Sequence, residues 1–317
     1  MSSNSDAMIS PHHRPVSASR AACEQRLSRM LSGRMERLPF AGCRRVGAHL
    51  GLAFFAAGRR RRELAIANVQ MALGLNRAQA TRIARRSAQN WGMTTCEFLH
   101  LPGATPQEIR EYVSLDGLEH LQSALQGGNG AILLMAHLGN WEVVGARLAQ
   151  EMPIAAIMRP LSNSTAQEHM SGVRRAVGMQ LISKHAAARP TIKVLRAGGA
   201  LCVLPDRHAG SEGALLPLFG RQTRFEIAPA RFAIMSGAPI VPVWGVRREP
   251  WLSNGRIEGR VLPAFSVHAG QRHEREAAVI EGTRQVIAAL ENIVRTHPDQ
   301  WSWMLRRWRD DDAAPIA

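Results

Sequence analysis

From about Gly128 onward the sequence alternates short apolar runs with helical patterns, and this constrains the fold more than any other feature. The runs are "AILLM" (131–135), "IAAIM" (154–158), "ALCVLPD" (200–206) and "PIVPVWGV" (239–246). Between them, helical spacing of apolar residues predicts helices after Asn140, near Ala166 to Val177, near Thr191 to Ala197 and near Pro229 to Ser236. Short apolar runs bounded by turn residues read as buried strands, and strand–helix alternation builds a sheet with substantial parallel pairing. "GRIEGRVLPAFSV" adds an edge strand or hairpin, and "EREAAVIEGTRQVIAALENIVRTH" a long helix. The first hundred residues instead read as helices: "ACEQRLSRMLSGRMERL", "RRRRELAIANVQMALGL" and "NRAQATRIARRSAQNWGMTTCEFLHL", with Asn76 placed as the N-cap of the last. The expected fold class is α/β: a mixed, largely parallel central sheet flanked by helices, with a helical N-terminal region. The expected divisions are a disordered polar tail over 1–20, the helical region over 21–127, the α/β core over 128–310 and a tail over 311–317.

Charge narrows the partners. The formal net charge is +15 and the sequence pI about 11.4. Lys occurs only at Lys184 and Lys193, so almost all of the 40 basic residues are Arg. Arg holds phosphates and carboxylates through planar, bidentate contacts. A GC-rich coding sequence also favours Arg over Lys, but does not explain the imbalance of charge. The expected partners are anionic: a phospholipid surface, a phosphorylated substrate, an acidic carrier protein or nucleic acid. Nucleic acid is disfavoured, because aromatic residues make up 5% of the chain and no zinc-finger or RNP-type sequence occurs.

Cys23, Cys43, Cys96 and Cys202 have neither CxxC nor metal-ligand spacing, so no metal site is expected, and a reducing cytosolic environment fits. Residues 1–20 lack the apolar core of a signal peptide; His12 and His13 are read as inert tail residues. "VGAHLGLAFFAA", Val46 to Ala57, is too short to span a bilayer, which takes about 20 apolar residues. It is either an ordinary core helix or a helix that dips into one leaflet, with Arg44–Arg45 and Arg59 to Arg62 holding lipid phosphates.

The chemistry concentrates in "GAILLMAHLGNWEVVGARL", Gly130 to Leu148. It reads as a buried strand, His137, a Gly-Asn turn, and a helix opening with Glu142. Five positions do not place two side chains on one helical face, but they suit a dyad in which the Glu reaches back to a His at a strand end. Open α/β sheets place their sites at the carboxyl ends of their strands. Glu142 would fix the imidazole tautomer through Nδ1, leaving Nε2 as a general base for a substrate hydroxyl. Backbone N–H groups at the helix opening would receive a developing oxyanion. No second His stands at helical spacing, and the stretch is not an HExxH pattern, which disfavours a metal.

"AHLGNWE" resembles the H-x4-D/E block of the lysophospholipid-type acyltransferases, in the form found in the lipid A late acyltransferases, the lauroyl and myristoyl transferases. "IMRPLSN" (157–163) resembles that family's Tyr-Arg-Pro block, with Met158 where Tyr is usual. "LCVLPDRHAG" (201–210) resembles its strand ending in Asp-Gln, with Arg207 in place of Gln. "LPLFGRQTR" and "APARFAIMSGAPIVPVW" resemble its Phe-Phe-Gly segment and the Ala-rich helix before a Val-Pro strand. "HPDQWSWMLRRWRD" (297–310) resembles its closing Pro-x-x-Trp-x-Trp-x-x-x-Arg-Trp signature. The likeness runs in order over roughly residues 40–310.

The resemblance implies a glycerolipid-acyltransferase-like fold and an enzyme at the cytoplasmic face of a bacterial inner membrane, peripheral or monotopic, with its N-terminal region on the membrane and no cofactor. It would move a fatty acyl chain from an acyl carrier protein thioester, or from acyl-CoA, to a hydroxyl of a lipid A precursor. A related branch acylates phosphatidylinositol mannosides, and a non-catalytic basic membrane-binding protein is the alternative outside the enzymes. His137 would be the base and Glu142 its orienting partner. Arg159 would hold a phosphate or the oxyanion, Asp206 would support the site, and Asn140 would contact substrate. The Trp-rich closing block reads as core packing and an interface belt.

Overall fold

A computed structural model describes residues 32–159, 163–184, 187–253 and 255–313. The expectations for the N-terminal tail, His12–His13 and most of the first helical stretch lie outside them. After a helical segment over 32–36 come three longer helices: α1 (Phe40–Ala57), α2 (Arg59–Leu73) and α3 (Arg77–His100). Asn76 caps α3 as the sequence predicts, accepting from the Gln79 N–H while the Gln79 side chain accepts from the Asn76 N–H. α1 buries one face, including Phe40, Cys43, Gly47, Ala48, Gly51 and Phe55, against α3. The approach is possible because both helices carry glycine at the crossing. A Cβ on Gly47 would stand 2.4 Å from the Gly92 carbonyl oxygen, and one on Gly92 2.1 Å from that of Gly47. No helix among the described residues is long and apolar enough to cross a membrane.

After α4 (Pro106–Tyr112) come β1 (Val113–Asp116), α5 (Leu118–Gln126), β2 (Ala131–Leu134), α6 (Trp141–Leu148), β3 (Ile154–Met158), α7 (Ser164–Ala176), β4 (Gln180–Ser183), α8 (Ala188–Arg196) and β5 (Ala200–Val203). The hairpin β6 (Ala214–Leu218) and β7 (Arg221–Phe225), α9 (Ala228–Ser236), β8 (Ile240–Arg247), β9 (Ile257–Val261) and α10 (Arg275–Thr296) complete it. The seven-stranded sheet has the order β1-β9-β8-β2-β5-β3-β4. Every neighbouring pair is parallel except β8–β9, which is antiparallel. The α/β class with a mixed, largely parallel sheet and a helical N-terminal region is therefore the observed one.

Helices cover both faces of the sheet, so its central strands are apolar on both sides. Ile132 and Leu134 of β2 join one buried cluster with residues of α2, α9 and α10. Leu133 and Met135 join the other with Val143, Val144 and Leu148 of α6. Every residue of β2 and β5 is buried, which is the reason these strands read as unbroken apolar runs. β1 comes from the helical N-terminal region and completes one edge of the sheet.

Candidate active site

β2 runs into the site, and Met135 still donates to the Val203 carbonyl of β5. The chain then turns sharply so that α6 can start. Gly139 makes the turn at φ 59, where a Cβ would stand 1.6 Å from the Gly245 carbonyl oxygen, so no larger residue fits. The Asn140 N–H donates to that same oxygen at 2.9 Å. Asn140 caps α6: its Oδ1 accepts from the Val143 N–H at 3.1 Å, and its Nδ2 donates to Glu97 at 2.6 Å. It is fully buried with both ends of its amide engaged. Asn140, expected at the substrate, is placed under the turn, where its amide caps α6 and meets Glu97.

The helical N-terminal region holds the turn from behind. Asn90 and Thr94 of α3 donate to the Gly139 carbonyl at 3.0 and 2.7 Å. Glu97 forms a bidentate pair with Arg247 at the end of β8, at 2.8 Å for both contacts, and neither side chain is exposed. Burial works against the Arg247 cation, but the Glu97 carboxylate beside it outweighs burial and raises its pKa. Tyr112 donates to the same Glu97, and burial with that carboxylate lifts its phenol above the ordinary value.

The imidazole has a different partner from the one expected. His137 Nδ1 lies 2.6 Å from Asp206 Oδ1, and the His137 backbone N–H donates to Oδ2 at 3.1 Å. An ionised carboxylate only accepts, so Nδ1 carries a proton, and whenever the imidazole is neutral Nε2 carries the lone pair. Asp206 follows β5 and is 1% exposed. Its Oδ2 also accepts from Trp301 Nε1 at 2.9 Å and Arg307 Nη2 at 2.8 Å, and Arg307 Nε donates to its backbone carbonyl. Burial alone would raise the Asp206 pKa. The charges of His137 and Arg307, with their hydrogen bonds, outweigh it and hold the carboxyl well below the usual carboxylate range. Nε2 of His137 meets no hydrogen-bonding partner among the described residues, and the side chain is 20% exposed. Trp141 walls one side, its ring centroid 5.0 Å from that of the imidazole.

Glu142 turns the other way. Arg174 of α7 donates to both of its oxygens, 3.0 Å from Nε to Oε2 and 2.5 Å from Nη2 to Oε1, and Trp141 Nε1 donates to it at 3.0 Å. The geometric expectation that Glu142 reaches back to the imidazole is thus replaced by a clamp between α6 and α7. Burial works against the Arg174 cation, but Glu142 more than compensates, raising its pKa. Glu142→Gln would leave this half-buried cation unpaired, and is expected to cost on the order of 3 kcal/mol of stability. Urea unfolding checks this; an unchanged midpoint would show that the clamp is dispensable.

The backbone amides of His137, Leu138, Gly139 and Asn140 all donate within the protein, to Asp206, Ala136, Gln300 and Gly245. The turn's own amides are therefore taken, which leaves the amides of Trp141 and Glu142 at the opening of α6, hydrogen-bonded to no described residue, as the ones an oxyanion could use. Arg159 follows β3, is exposed and forms no ion pair with a described residue. The three described cysteines are free and buried, and burial raises the thiols of Cys43, Cys96 and Cys202 to about 12, 11 and 12. None supplies a thiolate nucleophile near neutral pH.

Sequence reasoning missed the closing block's part in the site. Trp301 pairs with Leu138 in a β-bridge, the Ser302 N–H donates to the His137 carbonyl at 2.9 Å, and the Arg307 guanidinium lies 3.6 Å from the Trp301 ring centroid. Trp301 and Trp303 are wholly buried and Trp308 nearly so, which supports core packing and removes the interface belt. A fully buried Arg is seldom left unpaired, but nothing in the sequence says which acid, about a hundred positions away, Arg307 meets.

Comparison with known proteins gives the family. The family model described as bacterial lipid A biosynthesis acyltransferase matches residues 31–310. The chain is 25% identical over 232 residues to the phosphatidylinositol mannoside acyltransferase of Mycobacterium tuberculosis, covering 71% of this chain and 70% of that protein. It is 26% identical over 234 residues to the protein of the same name from Mycolicibacterium smegmatis, covering 72% and 73%. It is also 26% identical over 215 residues to lipid A biosynthesis acyltransferase 2 of Shigella flexneri, covering 63% and 62%. With a family match across most of the chain, this protein belongs to the bacterial lipid A biosynthesis acyltransferases and is an acyltransferase.

Proposed function

We propose that the enzyme transfers a fatty acyl chain from an acyl carrier protein thioester to a sugar hydroxyl of a membrane glycolipid, with a lipid A precursor as the acceptor. The observation that carries this reading is the His137 imidazole, held by Asp206 through Nδ1 and open at Nε2. Nε2 accepts the proton of the acceptor hydroxyl as its oxygen attacks the thioester carbonyl carbon. The C–S bond then breaks, and the imidazolium returns the proton to the leaving thiolate. Asp206 stabilises the imidazolium and fixes the tautomer, in the manner of the acid in a Ser-His-Asp triad. Four donors engage its carboxylate, so it does not take the proton itself. Arg159, exposed at the carboxyl edge of the sheet, suits a phosphate of the acceptor or the developing oxyanion.

The mycobacterial relatives favour a second acceptor of the same chemical kind, a phosphatidylinositol mannoside. Purified enzyme, carrier loaded with a labelled acyl chain and each lipid in detergent test both readings. Label in the lipid, matched by free carrier thiol, is the expected result, and the labelled lipid identifies the acceptor. Thiol release without lipid label would mean hydrolysis and defeat the proposal.

The acceptor's chains lie in lipid, which calls for attachment to a membrane surface. The exposed face of α1 carries Val46, Leu50, Ala53 and Ala57, within about 40° of one line on the helix. Arg59, Arg60 and Arg61 stand exposed just beyond it, whereas Arg62 turns inward and donates to the Phe55 and Ala56 carbonyls. The helix is thus both a core element and a surface one. At about 1 kcal/mol per basic residue near an anionic leaflet, changing Arg59, Arg60 and Arg61 together to Ser should weaken binding to anionic vesicles on the order of a hundredfold. Vesicle sedimentation measures it. Equal binding by wild type and variant would place the membrane contact elsewhere.

A further inference from the structure

A groove of about 610 Å³ runs between α8 and α9, away from the His137–Asp206 site. Ile192 and Met235 supply apolar lining, and Met235 is 53% exposed. Arg189, Lys193 and Arg196 line it as well. Positions i, i+4 and i+7 put these cations on one face of α8, over about 10 Å of helix. All three are exposed, and none forms an ion pair or hydrogen bond with a described residue. No acidic residue lines the groove. The acids near the start of α8, Glu212 and Glu226, are both engaged by Lys184. Three like charges on one helix face repel one another, so the arrangement costs stability unless a partner neutralises it.

We infer that this groove docks the acidic carrier protein that brings the acyl thioester, an inference that rests on the donor proposed above. A lining that joins apolar side chains to basic ones matches a protein interface. Its concave shape suits a protruding helix of a partner better than a flat lipid surface does. Its place in the fold suits delivery. α8 joins β4 to β5, which lie on either side of β3 and run parallel to it. Such a crossover helix runs back against the strands, so its first turn lies at the carboxyl edge of the sheet, where β2 and β5 present His137 and Asp206. A carrier seated along α8 therefore flanks the edge its thioester must reach. The three charges also line up over a span that suits an acidic helix rather than a single phosphate.

The test is Arg189→Glu, Lys193→Glu and Arg196→Glu together, with Lys193→Glu alone as the milder variant. Transfer to detergent-dispersed acceptor is measured from the carrier thioester and from a pantetheine thioester of the same acyl chain. With the carrier, the triple variant should raise KM at least about tenfold with kcat little changed, and the rise of KM with salt expected of the wild type should vanish. With the pantetheine thioester, wild type and variants should match. Equal losses on both donors, an unchanged carrier KM, or a loss confined to vesicle binding would each overturn the docking site; the last would make it a lipid contact. Wild-type transfer from the pantetheine or CoA thioester but not from the carrier would overturn it too. Failure of every thioester would instead sink the proposed reaction.

Discussion

His137→Ala is expected to lower the rate of acyl transfer by about two to four decades, the range that a positioned general base contributes. The loss should fall on kcat, because the imidazole acts on the hydroxyl proton in the transition state rather than on the lipid chains. Folding should survive. The ring is partly exposed at a strand end, and the residue's backbone N–H and carbonyl, which hold Asp206 and Ser302, remain in the variant. The variant forfeits one hydrogen bond to a charged group, roughly 1.5–3 kcal/mol. Single-turnover transfer from a loaded carrier is the measurement, with thermal unfolding as the control. Near-normal turnover in a folded variant would remove His137 from the chemistry. Glu142→Gln gives the contrast, because its clamp ties α6 to α7 without touching the imidazole. Its activity should fall only as far as the folded population falls.

The alternation of apolar runs and helices was enough to read the sheet's centre, because β2, β3, β5 and β8 are buried or nearly so and carry little polar interruption. The edges were harder. β1 is "VSLD", which follows α4 without a break, and β4 is "QLIS" with only Ile182 buried. Neither is long or apolar enough to stand out from a loop. The β6–β7 hairpin hides for another reason. Its two-residue turn is Phe219-Gly220, both at positive φ, where Asn-Gly would be the usual signal. Phe219 is held there by tertiary contacts: Trp301 and Trp303 pack on its ring, and its N–H donates to Glu291.

At the site, local reading found His137 and the turn that presents it, since strand, Gly139 and helix cap are all within a few residues. Proximity in sequence favours Glu142 as the acid of the imidazole, whereas the carboxylate that contacts Nδ1 is that of Asp206. The partner instead arrives on the adjacent parallel strand: β2 and β5 pair in register from Ala131↔Ala200 to Leu134↔Val203. His137 and Asp206 each stand three residues beyond their strand's last residue. Sheet pairing therefore sets the dyad, and no single-strand motif encodes pairing. Asp206 was visible only as a supporting residue, and Arg307 and Trp301 only as members of a packing block.

Asp206→Asn carries the second large effect, and it separates position from charge. The amide oxygen could still accept from Nδ1–H, but it brings no charge to balance the imidazolium, and a flipped amide would donate to Nδ1 and enforce the wrong tautomer. A loss on the order of 10³–10⁴ in kcat follows by analogy with the triad acid. The same change leaves the buried Arg307 without its carboxylate, which is expected to cost roughly 3–5 kcal/mol of stability at neutral pH. That cost has a pH signature. The Asp206 carboxyl is held below its ordinary pKa in the folded state, so its stabilisation is complete above the unfolded value of about 3.9 and drains away as pH falls towards the folded one. Urea midpoints of wild type and variant should lie far apart at pH 7 and draw together below about pH 4. A gap constant with pH would mean that the carboxylate's charge contributes little. Activity is best judged against His137→Ala, which isolates the shared pathway even if Asp206→Asn is poorly stable. If Asp206 acts through the imidazole, adding Asp206→Asn to His137→Ala should lower stability further but leave the residual transfer rate per folded molecule unchanged. Multiplicative losses in the double variant would mean that Asp206 acts on the substrate by a route of its own.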